Sequence, residues 1–228
     1  MHKKRQTLTT KIPVQRKGTK YVARASSHIN DSVPVIIALR DMLKLAQTIK
    51  EVKYMIYTKL LKINGRPVKS HRESIRLFNI FEADKNYVLK LLPTKRFFFE
   101  ESKSDNSRIV KVINKKLIGK DKFQLNLHDG SNLLSTDKKI KVGDSLNISF
   151  ENKINSHIPI EKGKNVFIIS GKYMGHDGKI DSINGKKVSL TVPKLDIKTE
   201  LNEKSLIVKW SNHYKHSKKK KIQWEIFL

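Results

Sequence analysis

"SVPVIIALRDMLKLAQTIKEVKYMIYTKLLKINGRPVKS", Ser32 to Ser70, is the stretch whose reading decides the fold. Val35, Ile36, Leu39, Met42, Leu43 and Ala46 recur at helical spacing, with Ser32 placed to cap. Thr48 can cap a second helix whose apolar face carries Val52, Met55 and Ile56. "LLKINGRPV" then reads as strand, tight turn, strand. Asn64 and Gly65 best tolerate the positive φ that a two-residue hairpin turn demands. The segment predicts two helices followed by a hairpin.

Downstream the pattern changes to β. "SIRLFNIFEA", "NYVLKLLPT", "RFFFEES", "RIVKVINKKLIG", "KFQLNLHDGSNLL" and "DSLNISFE" are short strand-like runs. They are divided by turn signals at Asp84–Asn86, Gly119, Asp129–Gly130 and Gly143–Asp144. Further on, "NVFIISG", "GKIDSING", "KKVSLTV" and "SLIVKW" form another set with glycine corners. The expected fold class is α+β and multi-module: a two-helix and hairpin module, then two small β-barrels. The expected boundaries are a basic arm at 1–31, the helix–hairpin module at 32–92, a central β domain at 93–160, a second barrel at 161–210 and a basic tail at 211–228.

Both ends are strongly basic. Residues 1–30 hold Lys3, Lys4, Arg5, Lys11, Arg16, Lys17, Lys20 and Arg24 and no acid. They read as an extended arm that orders on a partner. Across 228 residues, 48 Lys and Arg face 21 Asp and Glu, a formal net charge of +27. Such an excess repels itself until a polyanion neutralises it, and nucleic acid is the leading candidate because each neutralised phosphate releases counterions. An anionic membrane would want a basic amphipathic helix with aromatic residues on its apolar face, and none is clearly formed. With no cysteine, disulfides, thiolate zinc sites and a Cys nucleophile are excluded, which fits an intracellular protein. No apolar run is long enough for a transmembrane helix, and the polar "MHKKRQTLTTK" does not read as a secretory signal.

Little in the sequence has the pattern of a catalytic site. "GKYMGHDGKI", residues 171–180, has the look of a phosphate loop. It lacks the Gly-Lys-Ser/Thr ending, and a strand rather than a helix follows, so the amides and dipole of a helix N-terminus are missing. "LHDGS" places His128, Asp129 and Ser131 side by side, whereas a triad needs groups converging from separate elements; a hairpin loop is the better reading. No catalytic residue, metal ligand or cofactor is expected.

In this order the stretches resemble the ribosomal protein S4e family, in its archaeal branch. "IPVQRKGTKYVARASSHIN" resembles the family's N-terminal segment, and the helix–hairpin stretch its S4-type RNA-binding domain. "FQLNLHDGSNLL" and "GDSLNISFENKINSHIPIEKGKNVFIISGKYMGHDGKI" resemble its central barrel running into a KOW motif of SH3-like fold. The resemblance spans roughly residues 10–208. It implies a non-catalytic structural protein of the small ribosomal subunit, in the cytoplasm. Its implied partners are small-subunit rRNA and neighbouring ribosomal proteins, with no membrane and no small-molecule substrate. The RNA-contacting positions it implies are Arg40, Lys44, Lys50 and Lys53 on the helices and Lys59, Arg66 and Lys69 around the hairpin. To these the arm adds Lys3, Lys4, Arg5, Arg16, Lys17, Lys20 and Arg24, with Tyr21 and His28 able to stack on bases. Lys172, His176 and Lys179 are expected to face phosphates at the KOW turn. Three other classes compete: an RNA-modifying enzyme with an S4-type domain, a KOW-containing transcription or translation factor, and a nucleic-acid-compacting protein. The first would need a much larger catalytic domain, the second an apolar partner-binding face.

Overall fold

Three β-sheet units follow one another along the chain, and the N-terminal segment folds back onto the first. The computed structural model of the protein describes residues 2–102, 106–119, 121–185, 187–193, 195 and 197–208. The expected basic tail at 211–228 lies outside the described residues.

The N-terminal segment departs from expectation. β1 (His2–Lys4) pairs antiparallel with β2 (Tyr21–Ala23). Ile12 and Val22 are buried in the core of the first unit, and Leu8 and Val14 pack against it. The Phe97 amide donates to the Lys11 carbonyl at 2.7 Å. The segment is therefore not an extended arm. Leu8, Ile12, Val14 and Val22 point inward, and burying them, with backbone pairs on both flanks, outweighs repulsion among cations that remain at the surface.

β3 (Ser32–Pro34) leads into α1 (Val35–Ile37), which runs on as a π turn over Ala38–Met42; α2 spans Ile49–Tyr57. The first expected helix is thus short and irregular. Val35 to Leu39 are buried on every side, so packing rather than an amphipathic pattern holds it. The Leu43 amide donates five residues back to Ala38, and Lys44 at φ 57° ends the helix. Ser32 does not cap it. Ser32 sits buried in β3, its hydroxyl donating to the carbonyls of Ser27 and His28.

β4 (Lys62–Ile63) and β5 (Arg66–Pro67) form the hairpin, with Asn64 at φ 53° and Gly65 at φ 77° in its turn. β6 (Ser74–Arg76) returns to pair with β3, and β7 (Ile80–Glu82), β8 (Asn86–Leu91) and β9 (Phe97–Glu101) complete a sheet of order β5-β4-β7-β8-β9. The expected boundary after residue 92 therefore moves beyond Glu101. Pro93 to Lys95 make a hairpin turn, not a linker: the Leu92 amide donates to Arg96 O and the Lys95 amide to Leu92 O, both at 2.8 Å. Phe97 then pairs with Leu91 inside the core.

The second unit contains β10 (Ser107–Leu117), β11 (Phe123–Leu127), β12 (Asn132–Ser135), β13 (Ser145–Ser149) and β14 (Ile154–Ile158), in the order β12-β11-β10-β13-β14. Long β10 serves both halves. Its first part pairs with β13 and its second with β11, and an irregularity between Val112 and Asn114 bends the strand. The third unit contains β15 (Asn165–Ile168), β16 (Asp177–Asn184), β17 (Lys187–Val192), β18 (Ile197–Asn202) and β19 (Leu206–Val208), ordered β18-β17-β16-β15-β19. In β17, Val188, Leu190 and Val192 point into the core while Ser189 and Thr191 alternate between them. Each of these barrel-like sheets has a small apolar core of its own.

A polar hub locks the units together around the "LHDGS" turn between β11 and β12. Arg76 of β6 donates to the His128 carbonyl at 2.8 Å. The buried His128 ring accepts from the Lys111 amide at Nδ1 (3.1 Å), so Nε2 carries the proton and donates to Leu77 O at 3.0 Å. Burial holds the imidazole below its usual pKa, hence neutral. Both ring nitrogens are committed to backbone, and neither serves Ser131. Beneath lies a buried ion pair, Arg108 Nε to Asp129 Oδ2 at 3.1 Å. Lys111, 1% exposed, reaches from β10 to the carbonyls of Glu203 and Leu206 in the third unit. Phe78 meets Phe167 of β15 edge-on, with ring centroids 5.5 Å apart.

Candidate nucleic-acid interface

α2 shows why one helix can present two chemistries. The Thr48 hydroxyl accepts from the Glu51 amide at 3.3 Å and donates to Glu51 Oε1 at 2.8 Å. Glu51 Oε2 accepts from the Gln47 amide at 2.8 Å. This capping arrangement fixes the helix start and, through those hydrogen bonds, holds the Glu51 carboxyl below its ordinary pKa. Val52 is buried, and Met55 and Ile56 are half-buried against the core. The opposite face carries Lys50, Lys53, Tyr54 and Tyr57, all exposed; Tyr54 is 68% and Tyr57 85% accessible. Two bare tyrosines among lysines combine ring faces for stacking with charges for phosphates.

A cleft of about 280 Å³ lies beside this face, lined by parts of β1, β2, the π turn and the start of α2, and by His71 and Arg72. Buried Val22 and Ile36 give it an apolar floor. The Tyr21 and His2 rings pack with centroids 4.0 Å apart on one side. Burial, with Arg72 and Lys53 nearby, pushes the His71 imidazole below its usual pKa. Among the described residues neither the His71 ring nor the Arg72 guanidinium has a hydrogen-bond partner.

The expected contact residues divide accordingly. Lys50, Lys53, Lys59 and Lys44 are exposed, the last two at positive φ at the ends of the helical segments. Arg40 lines the cleft but is half-committed: Nε and Nη2 donate to the Asp41 carboxylate at 3.2 and 3.0 Å. Arg66 is paired with Glu73 at 2.6 Å, and the Lys69 amide donates to the same carboxylate while its side chain is exposed.

In the N-terminal segment Lys4, Arg16, Lys17 and Lys20 are exposed. Lys3 donates to Asn30 at 3.1 Å, and Arg24 is half-buried. Arg5 is structural: its guanidinium donates to the carbonyls of Thr19 and Gln15 and to the Thr19 hydroxyl, which shapes the loop between β1 and β2. His28 is exposed, at φ 46°.

At the glycine loop, Lys172 and Lys179 are exposed, but His176 is half-buried with Nδ1 sealed from solvent. Gly175, at φ 88°, abuts the first unit: a Cβ there would collide with the Leu92 carbonyl. That part of the loop is a packing contact between units.

The structure thus gathers Arg5 and Arg40 at one cleft, beside Lys50 and Lys53, and leaves Lys172 and Lys179 on a separate unit. Sequence reading missed Tyr54, Tyr57, His2, His71 and Arg72. The two tyrosines had a signal, because they fall off the Val52–Met55–Ile56 face at helical spacing. His71 and Arg72 had none; only tertiary structure brings them to the N-terminal segment.

The sequence model of ribosomal family S4e matches residues 83–154, and that of the KOW motif matches residues 162–192. A curated relative from Methanospirillum hungatei, "Small ribosomal subunit protein eS4", is 33% identical over 190 residues, covering 78% of each chain. Its namesake from Halobacterium salinarum is 31% identical over 191 residues, covering 80% of this chain and 82% of its own. The crystal structure of 30S ribosomal protein S4e from Thermoplasma acidophilum shares the fold, with a TM-score of 0.67 at 23% identity, covering 78% of this chain and 94% of that one.

Proposed function

The chain belongs to ribosomal family S4e, and from that membership we infer that it is a structural constituent of the small subunit of cytoplasmic ribosomes, binding folded small-subunit rRNA. The observation that carries RNA contact is the outer face of α2, where lysines and bare tyrosines stand together with one acid, itself held by the cap. We read the helix–hairpin unit as the S4-type RNA-binding module, now extending to about residue 101, and the third unit as the KOW barrel.

In this reading Lys44, Lys50, Lys53, Lys59 and Lys69 neutralise phosphates as point charges, and Tyr54 and Tyr57 stack on unpaired bases. Lys4, Arg16, Lys17 and Lys20 extend the charged surface along the N-terminal segment, and Lys172 and Lys179 form a second contact on the KOW barrel. Arg5, Arg66 and His176 support structure instead. The role is non-catalytic: the residues that resembled a triad hold the units together. Neighbouring ribosomal proteins are the further partners.

Co-sedimentation tests this. The protein should travel with small subunits through a low-salt sucrose gradient and be released by high salt, since its binding depends on counterion release. Recovery only at the top of the low-salt gradient rejects the reading.

A further inference from the structure

We propose that the cleft between the N-terminal strand pair and α2 holds one unstacked nucleotide of the bound rRNA, a specific docking point beyond general backbone contact. The proposal rests on the rRNA-binding reading above. Four observations carry it. The cleft is an open groove close to small-ligand scale, at about 280 Å³. Its floor is apolar and its edge bears the Tyr21 and His2 rings, which suits the face of a base. Arg72 has five N–H donors and no hydrogen-bond partner for them among the described residues, and Arg40 keeps Nη1 uncommitted on the same cleft. Among the described residues no acidic side chain lines it.

The polar groups are matched to a nucleotide rather than to a bare phosphate. Cations at the rim take the phosphate, the rings take the base, and the His71 imidazole, held largely neutral by its surroundings, can exchange a hydrogen bond with a base edge. The cleft is also continuous with the RNA-facing helix. Ile49, the first residue of α2, lines it, and Lys53 lies close enough to depress the His71 pKa. A strand reaching Lys50 and Lys53 has a short path to drop one base inside.

The test uses the full chain and an archaeal small-subunit rRNA, with base-specific chemical probing and affinity measurement. Tyr21→Leu and Arg72→Gln alter two parts of the cleft lining at partly exposed positions, and melting curves check that each variant folds. Bound wild type should change the reactivity of one isolated base. Either variant should return that base to its free-rRNA reactivity and weaken binding about five-fold or more. Lys50→Ala should weaken binding while leaving the base protected. Wild-type protection retained in both variants, at unchanged affinity, overturns the nucleotide site and leaves the rRNA reading standing. Absence of wild-type binding to rRNA removes both. If millimolar AMP or UMP raises the wild-type melting temperature while neither substitution alters rRNA protection, the cleft serves a free nucleotide, and the rRNA source is overturned.

Discussion

Lys111 concentrates the energetics of the hub in one side chain. It is buried between two units, and burial pushes its ammonium down to about 7, with Glu203 opposing the shift. The unfolded chain returns it to the ordinary lysine value of 10.5. Between those values the unfolded state binds more protons, so this group makes stability rise as pH increases from about 7 to 10.5, whereas below 7 its desolvation cost applies in full and no longer varies with pH. The wild type should therefore gain stability over that range relative to Lys111→Met, a difference readable in paired urea titrations at pH 7 and pH 9.5. Equal pH slopes would mean that the ammonium is not desolvated. Arg108 and Asp129 make a different prediction. Their side chains are 4% and 2% exposed, and breaking a buried pair leaves an uncompensated charge. Asp129→Ala should cost about 3–5 kcal/mol by denaturant unfolding. Burial alone would raise the Asp129 pKa, but hydrogen bonds from Ser131 and the Arg108 charge lower it overall. The stability it supplies persists down to acid pH and is lost only below the ordinary carboxylate range. "LHDGS" was legible as a hairpin loop because turn residues mark loops locally. Its role as the hub was not, since Arg76, Leu77 and Lys111 reach it from other elements.

At the scale of elements, α2 and the glycine loop separate two kinds of contact. Lys50→Ala with Lys53→Ala should flatten the salt dependence of rRNA binding by about 0.7–0.9 per lysine. Tyr54→Ala and Tyr57→Ala should each cost about 1–3 kcal/mol of affinity with the salt slope unchanged, because stacking releases no counterion. Filter binding across a salt series distinguishes them, and a slope that moves equally for both pairs would refute the division. Gly175→Ala should lower the melting temperature and expose the third unit to limited proteolysis, because the added methyl meets backbone at Leu92. Most strand segments, the hairpin turn and α2 could be read from sequence, since each rests on a local pattern of alternation, turn chemistry or capping. The first helix could not: its apolar spacing looked regular, but burial of Val35 to Leu39 on all sides let tertiary packing draw it into a strand and a π turn. β9 falls on the wrong side of the expected boundary at residue 92 because its pairing with β8 is a tertiary fact, shown by the register of Leu91 with Phe97.

For the molecule as a whole, a net charge of +27 sits on three small cores rather than one large one. The first core is completed by residues far apart in sequence, from Ile12 and Val22 to Phe167, Met174 and Ile207. Deleting residues 2–24 should therefore lower the melting temperature of the body as well as its incorporation into subunits. A truncated chain that melts like the full chain would return the segment to the status of a loose arm. Sequence composition made the basic surface plain, yet it could not show that the most basic segment is also a core element, because charge is counted per residue while burial depends on what the chain folds against.

The seat of Gly175 and Met174 against the first unit also fixes an order of events during synthesis. Leu92 and Phe78 leave the exit tunnel well before the chain that covers them; roughly eighty residues separate Leu92 from Gly175. At about 5–20 residues per second, that surface stays open for about 4–16 s on each nascent chain. During that interval the newborn protein is a strongly cationic fragment whose first core still lacks the cover that Phe167, Met174 and Ile207 later supply.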